Sequence, residues 1–217
     1  MLQNFSGPIR LAIEKAIGAG VPANTIVLLL LLPIVAFVIA FSRNVVGIRG
    51  FGIFLPAALA VAFVATGPVA GIGLFLVIVI VSTVVRLTLR KFKLKLQYLP
   101  RMALILWAAV LGVLGSLFLV PLDVSIFAVL ILILLTEDFT RVQIGKSVKT
   151  ALSLTMETLI LALISYFFLT LELLQNFVLA NPEISLLAVG ILDFLLAKYS
   201  GLRLMEIYRF RKLVSSK

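Results

Sequence analysis

The sequence predicts an all-α polytopic membrane protein of seven transmembrane helices, N-terminus outside and C-terminus in the cytoplasm. Three observations lead there. Of 217 residues, 63% are hydrophobic and 13% charged, against roughly 45–50% and 25% in soluble domains. The apolar residues gather into seven runs that approach the length of about 20 residues needed to cross a bilayer core about 30 Å thick. The basic residues fall at alternate ends of those runs, as the charge asymmetry of membrane insertion demands.

Taken in order, residues 1–24 form an extracytoplasmic or interfacial segment. Arg10, Glu14 and Lys15 interrupt any signal-peptide core there. Ile9, Ala12, Ile13, Ala16 and Ile17 share one helical face, which predicts a short helix lying on the membrane surface. The membrane domain, residues 25–200, then carries the runs Thr25–Phe41, Phe51–Ala65, Pro68–Leu87, Leu99–Val120, Val124–Leu135, Val148–Leu171 and Ile184–Lys198. The fifth is short and lies between Asp123 and Glu137-Asp138, so a re-entrant hairpin is its alternative. Residues 201–217 form a basic cytoplasmic tail, in which Leu204, Ile207 and Tyr208 alternate with arginines and lysine.

Charge placement decides for seven spans. In that arrangement 17 of the 19 basic residues lie on the cytoplasmic side, with only Arg10 and Lys15 opposite. If the fifth run failed to cross, the split would become 8 against 11. The outer connections are neutral or acidic, the last running from Glu172 to Glu183 as a loop.

No cysteine and no histidine is present. Disulfides, Cys/His zinc sites and His-based catalytic triads are therefore excluded, and neither a metal nor a cofactor is expected. A net charge of +10 on so apolar a chain points to membrane orientation and not to nucleic acid. The lipid bilayer is the partner that composition assigns, and the oligomeric state is left open.

Small residues at i, i+4 spacing mark packing faces: Ala58-Ala62-Thr66, Ala108-Gly112-Ser116 and Asp193-Ala197-Gly201 with Gly190. Pro33 and Pro56 fall inside the first and second runs and are read as structural kinks. Two carboxylates, Glu157 and Asp193, lie within runs. A charge at that depth costs about 2.5–3.5 kcal/mol on insertion scales, so both are expected to face the bundle interior. Either they form an ion or ligand site, or each pairs with an arginine such as Arg43, Arg49 or Arg86 to fix helix register. Around the junction of the first two runs, Phe41-Ser42-Arg43-Asn44-Val45-Val46-Gly47-Ile48-Arg49-Gly50-Phe51-Gly52-Ile53-Phe54-Leu55-Pro56 combines three candidate binding residues, Arg43, Asn44 and Arg49, with three glycines. Such a turn offers guanidinium groups and open backbone amides to an anion or a partner.

The stretch from Leu28 to Pro56, with Tyr199-Ser200-Gly201-Leu202-Arg203-Leu204 and the closing Glu206-Ile207-Tyr208-Arg209-Phe210-Arg211, resembles the seven-helix membrane domain fused to inactive transglutaminase-like domains in bacteria. The resemblance covers about residues 25–212. It implies a multi-pass protein of the bacterial inner membrane, associated with peptide synthesis, modification or export. It also implies an ATP-grasp ligase or a transglutaminase-like protein as partner. About 24 residues precede the first run, so the chain is read as a standalone version without the soluble domain, or as a fragment. The expected function is a non-catalytic scaffold or receptor-like module that binds a partner or small ligand. The alternative is a small ion- or proton-coupled transporter or channel using Glu157 and Asp193.

Overall fold

The computed structural model describes residues 7–92, 97–119, 125–126, 129–133, 141, 148–201 and 203–205, and every regular element among them is helical. In chain order they are α1 (Pro8–Gly18), α2 (Ala23–Phe41) continued by a π-helix (Ser42–Val46), α3 (Phe54–Thr66), α4 (Pro68–Lys91), α5 (Tyr98–Leu119), α6 (Val148–Thr170), α7 (Glu172–Ala180) and α8 (Pro182–Lys198). Most of the fifth predicted run, the tail beyond residue 205, and Lys93, Lys95 and Lys146 lie outside the described residues. Within the fifth run, 129–133 are helical. Four stretches, Ala23–Val46, Pro68–Lys91, Tyr98–Leu119 and Thr150–Thr170, are long and apolar enough to cross a membrane, which makes the chain multi-pass. A fifth is reached if α7 and α8, bent by 108° at Asn181, count as one broken span.

Two compact units divide the chain. The first holds Met1–Arg49 and Ile164–Lys217. Its α1 begins at Pro8, a residue whose missing N–H costs nothing at the first helical position. Gly7, the N-cap, has no side chain to offer the open amides. Glu183 of α8 does that work, its Oε1 accepting the Arg10 N–H at 2.9 Å. A Cβ on residue 7 would overlap this carboxylate. No residue of α1 is buried by the rest of the protein. In α2 the apolar residues cover every side, and Ile26, Leu30, Leu31, Val35 and Ile39 form the buried face. Pro33 lies inside the helix as predicted, and there it removes a donor from the Leu29 carbonyl.

The segment expected to be an acidic loop is instead α7. Leu174, Phe177 and Val178 recur at helical spacing, and Val178 is fully buried. The corner before it is closed by Gln175, whose Nε2 donates to the Leu169 carbonyl at 2.6 Å near the end of α6. That carbonyl would otherwise be one of the unpaired acceptors every helix C-terminus leaves.

The second unit, Gly50–Leu163, is built around α3. Its 13 residues reach only about 20 Å at 1.5 Å per residue, short of a bilayer core by themselves. Leu59, Ala60, Ala62 and Phe63 are nonetheless almost fully buried, because alanine lets neighbouring backbones approach closely. Pro56 is the third residue of α3, which corrects the expected kink. The turn runs on to Ile53, so the proline falls in the first helical turn, where amides are unpaired anyway. Phe63 packs onto Gly71 of α4, and Gly112 of α5 receives Val81 of α4. Two of the predicted small-residue stripes thus contribute to packing through Ala62 and Gly112. The third does not: Gly190, Asp193, Ala197 and Gly201 are all exposed.

Candidate functional site

The candidate site begins where α2 ends. From Ser42 the helix widens into a π-turn, so that the Ser42 carbonyl accepts both the Gly47 N–H at 2.9 Å and the Ile48 N–H at 3.2 Å. Such one-turn widenings recur at functional sites. Gly47 closes the turn at φ +102°, a conformation that L side chains rarely adopt. Its α-carbon also faces Arg203 and Met205, whose Cβ atoms would each stand 3.4 Å from any added Cβ. The two stretches that carry the family resemblance, the Arg-Gly turn and the segment after α8, therefore meet here. Arg43 is half-buried on this turn and Asn44 is exposed. Arg49 is exposed as well.

Beyond Arg49 the backbone docks on α6. The Phe51 N–H donates to Thr158 Oγ1 at 2.8 Å in a buried hydrogen bond. Thr158 in turn donates to the Leu154 carbonyl at 2.7 Å, so its hydroxyl serves as donor and acceptor at once. Gly50 lies so close to α6 that a Cβ would come within 2.8 Å of Leu161 Cδ1 and 3.3 Å of Thr158 Oγ1. Sequence reading passed over Thr158. The available signal was a β-branched hydroxyl among apolar neighbours, which a membrane helix keeps when it has a backbone group to satisfy.

Glu157 is half-buried, and Ser153 Oγ donates to its Oε1 at 3.0 Å one turn away. Thr150 and Ser153 are exposed, while Ala151, Thr155, Thr158 and Ala162 form the buried side of α6. The polar face that was expected to point inward thus lies at the edge of that buried side. For Asp193 the expectation is corrected outright. Ser185, Val189 and Leu196 are the buried residues of α8 beyond its first turn, and they leave Asp193 on the exposed flank of a narrow face. It has no hydrogen bond or ion pair among the described residues. The two carboxylates fall in different compact units.

Among the described residues no three His, Cys, Asp or Glu side chains come together to hold a metal ion. The chemistry on offer is guanidinium, amide and carboxamide donors on a braced turn, suited to recognising an anion or a protein surface. Residues 21–214 fit the family described as 7 transmembrane helices usually fused to an inactive transglutaminase. No curated protein and no solved structure matches.

Proposed function

The chain belongs to this family of seven-transmembrane-helix domains, and from that premise we propose that it is a non-catalytic membrane module that docks a partner protein through its Arg-Gly turn. The observation that supports this reading is the π-turn closed by Gly47, against which Arg203 packs. A rigid backbone that leaves Asn44 and Arg49 exposed loses little conformational entropy on binding, which is what a docking surface needs.

Seven spans with the N-terminus outside accompany the proposal. The four long apolar helices, α8 from Ile184, the short α3 and the run around 129–133 are taken as the seven. In that topology the Arg-Gly turn faces the cytoplasm, where an ATP-grasp ligase is the candidate partner. A transglutaminase-like partner belongs to the opposite face, in keeping with the fusion usual in the family. The membrane is the bacterial inner membrane. Exposure of Asp193 favours this role over ion coupling through the two acids.

The test is co-purification of cytoplasmic proteins from membranes carrying wild type, Arg43→Ala or Arg49→Ala. Both variants are expected to weaken capture, and the difference from wild type should shrink as salt rises, as it does when exposed charges steer an encounter. Wild-type protein in liposomes that drives proton- or cation-coupled flux, abolished by Glu157→Gln, would replace this proposal with the transporter reading.

A further inference from the structure

A cavity of about 530 Å³ lies within the first unit, walled by α2, the end of α6, α7 and α8. Its surface is hydrocarbon, from Ile34, Val38, Phe168, Ala188 and Val189 among others. Two serines also reach it. Ser185 is already committed to the Asn181 carbonyl at 2.8 Å, and Ser42 sits where α2 passes into the π-turn. The cavity is open-sided, since Phe41, Phe177 and Leu192 line it and yet remain 42%, 50% and 43% exposed.

Most small-ligand sites of this size, about 300–1,000 Å³, add a few convergent polar groups that fix orientation. Here Ser185 is committed and Ser42 offers a single hydroxyl, so what the cavity recognises is chiefly hydrocarbon. Lipid tails, as apolar as leucine, are the hydrocarbon that surrounds a multi-pass protein.

Two arginines adjoin the turn that begins at the lining residue Ser42, though neither lines the cavity itself. Arg43 directly follows Ser42, and Arg203 packs against Gly47 of the same turn. Among the described residues neither guanidinium has a hydrogen bond or an ion pair. Two cations beside an apolar hollow match a phosphodiester headgroup joined to an acyl chain.

We infer that this unit holds an anionic phospholipid, one acyl chain in the cavity and the phosphate at Arg43 and Arg203. The bound lipid fills the space between α2 and α8 and ties the π-turn to the segment after α8. This goes beyond the docking role proposed above and shares with it only Arg43.

The test uses the purified full chain, offered equal amounts of dioleoylphosphatidylglycerol and dioleoylphosphatidylcholine and examined by native mass spectrometry. One phosphatidylglycerol per chain is expected, preferred by about 30-fold for two cations near an anionic group. Ala188→Trp, which fills the cavity, should abolish retention of both lipids. Arg43→Gln with Arg203→Gln alters no core residue and should leave one lipid bound while removing the preference. The inference is overturned if wild type retains no lipid. It is equally overturned if the preference survives Ala188→Trp in protein that still melts cooperatively, if the paired arginine variant keeps it, or if inorganic phosphate displaces the lipid. Arg49→Ala separates the two proposals: it should lower partner capture and leave lipid retention unchanged.

Discussion

The buried amide of Phe51 is satisfied by the hydroxyl of Thr158, 107 residues away in sequence and 2.8 Å away in space. This one bond joins the segment ahead of α3 to the helix that carries Glu157. It anchors the irregular segment past Gly50 before α3 begins at Phe54.

Removing the acceptor should therefore cost more than a methyl-for-hydroxyl exchange at a surface. Thr158→Val keeps shape and takes this acceptor from the buried Phe51 N–H, a loss of about 1–3 kcal/mol. Thr158→Ser restores the oxygen and should recover most of it. Thermal melts of the detergent-purified protein check both, and equal melting of valine and serine variants would show the bond to be unimportant.

Gly50 is expected to resist substitution for steric reasons alone. An added Cβ meets Leu161 Cδ1 at 2.8 Å, and Leu161 is fully buried with nowhere to turn. Gly50→Ala should destabilise by about 1–3 kcal/mol, the usual range for overpacking. Combined with Leu161→Val, which shortens the obstructing side chain, the two changes should cost less than their sum. Strict additivity would mean that the residues do not interact.

The attachment of α1 should depend on pH in a defined direction. Glu183 lies in the first turn of α8, ahead of the predicted span, and its carboxylate accepts the Arg10 amide. That bond, with further backbone donors and the nearby Arg10 charge, holds its pKa below the ordinary value of 4.5. A depressed carboxylate contributes stability above its unfolded pKa and loses it as pH falls through the folded one. Protection of the Arg10 amide against hydrogen exchange should persist as pH drops to about 4.5 and disappear only below it. Gly7→Ala should remove it at neutral pH, because the new methyl occupies the carboxylate's position. The Arg10–Glu14 pair, 3.4 Å apart and exposed, should contribute little.

Topology gives a separate expectation. A reporter active only in the cytoplasm should work when fused after Lys217 and fail when fused before Met1, since 17 of 19 basic residues lie on the C-terminal side in the seven-span arrangement. Activity at both ends would remove one crossing, with the run around 129–133 the first candidate.

By itself the sequence determined the membrane class, most of the helices and the position of the Arg-Gly turn. The reason is local: in hydrocarbon every backbone group must bond within its own segment, so a long apolar run is already a helix. The short surface helix α1 was legible for a related reason, since its apolar residues keep one face. Tertiary structure alone decided which way the candidate residues point. Helices such as α2 and α6 are apolar on nearly every side, so no periodicity in them names an inward face, and only the neighbours actually packed against them do. Hence Asp193 lies exposed beside a narrow buried stripe, although its spacing with Gly190 and Ala197 suggested burial. Pro56 opens a helix because the preceding turn is longer than its glycines implied. The partners of Phe51 and Arg10 are oxygens more than 100 residues distant, and contacts at such separation exist only once the helices have assembled.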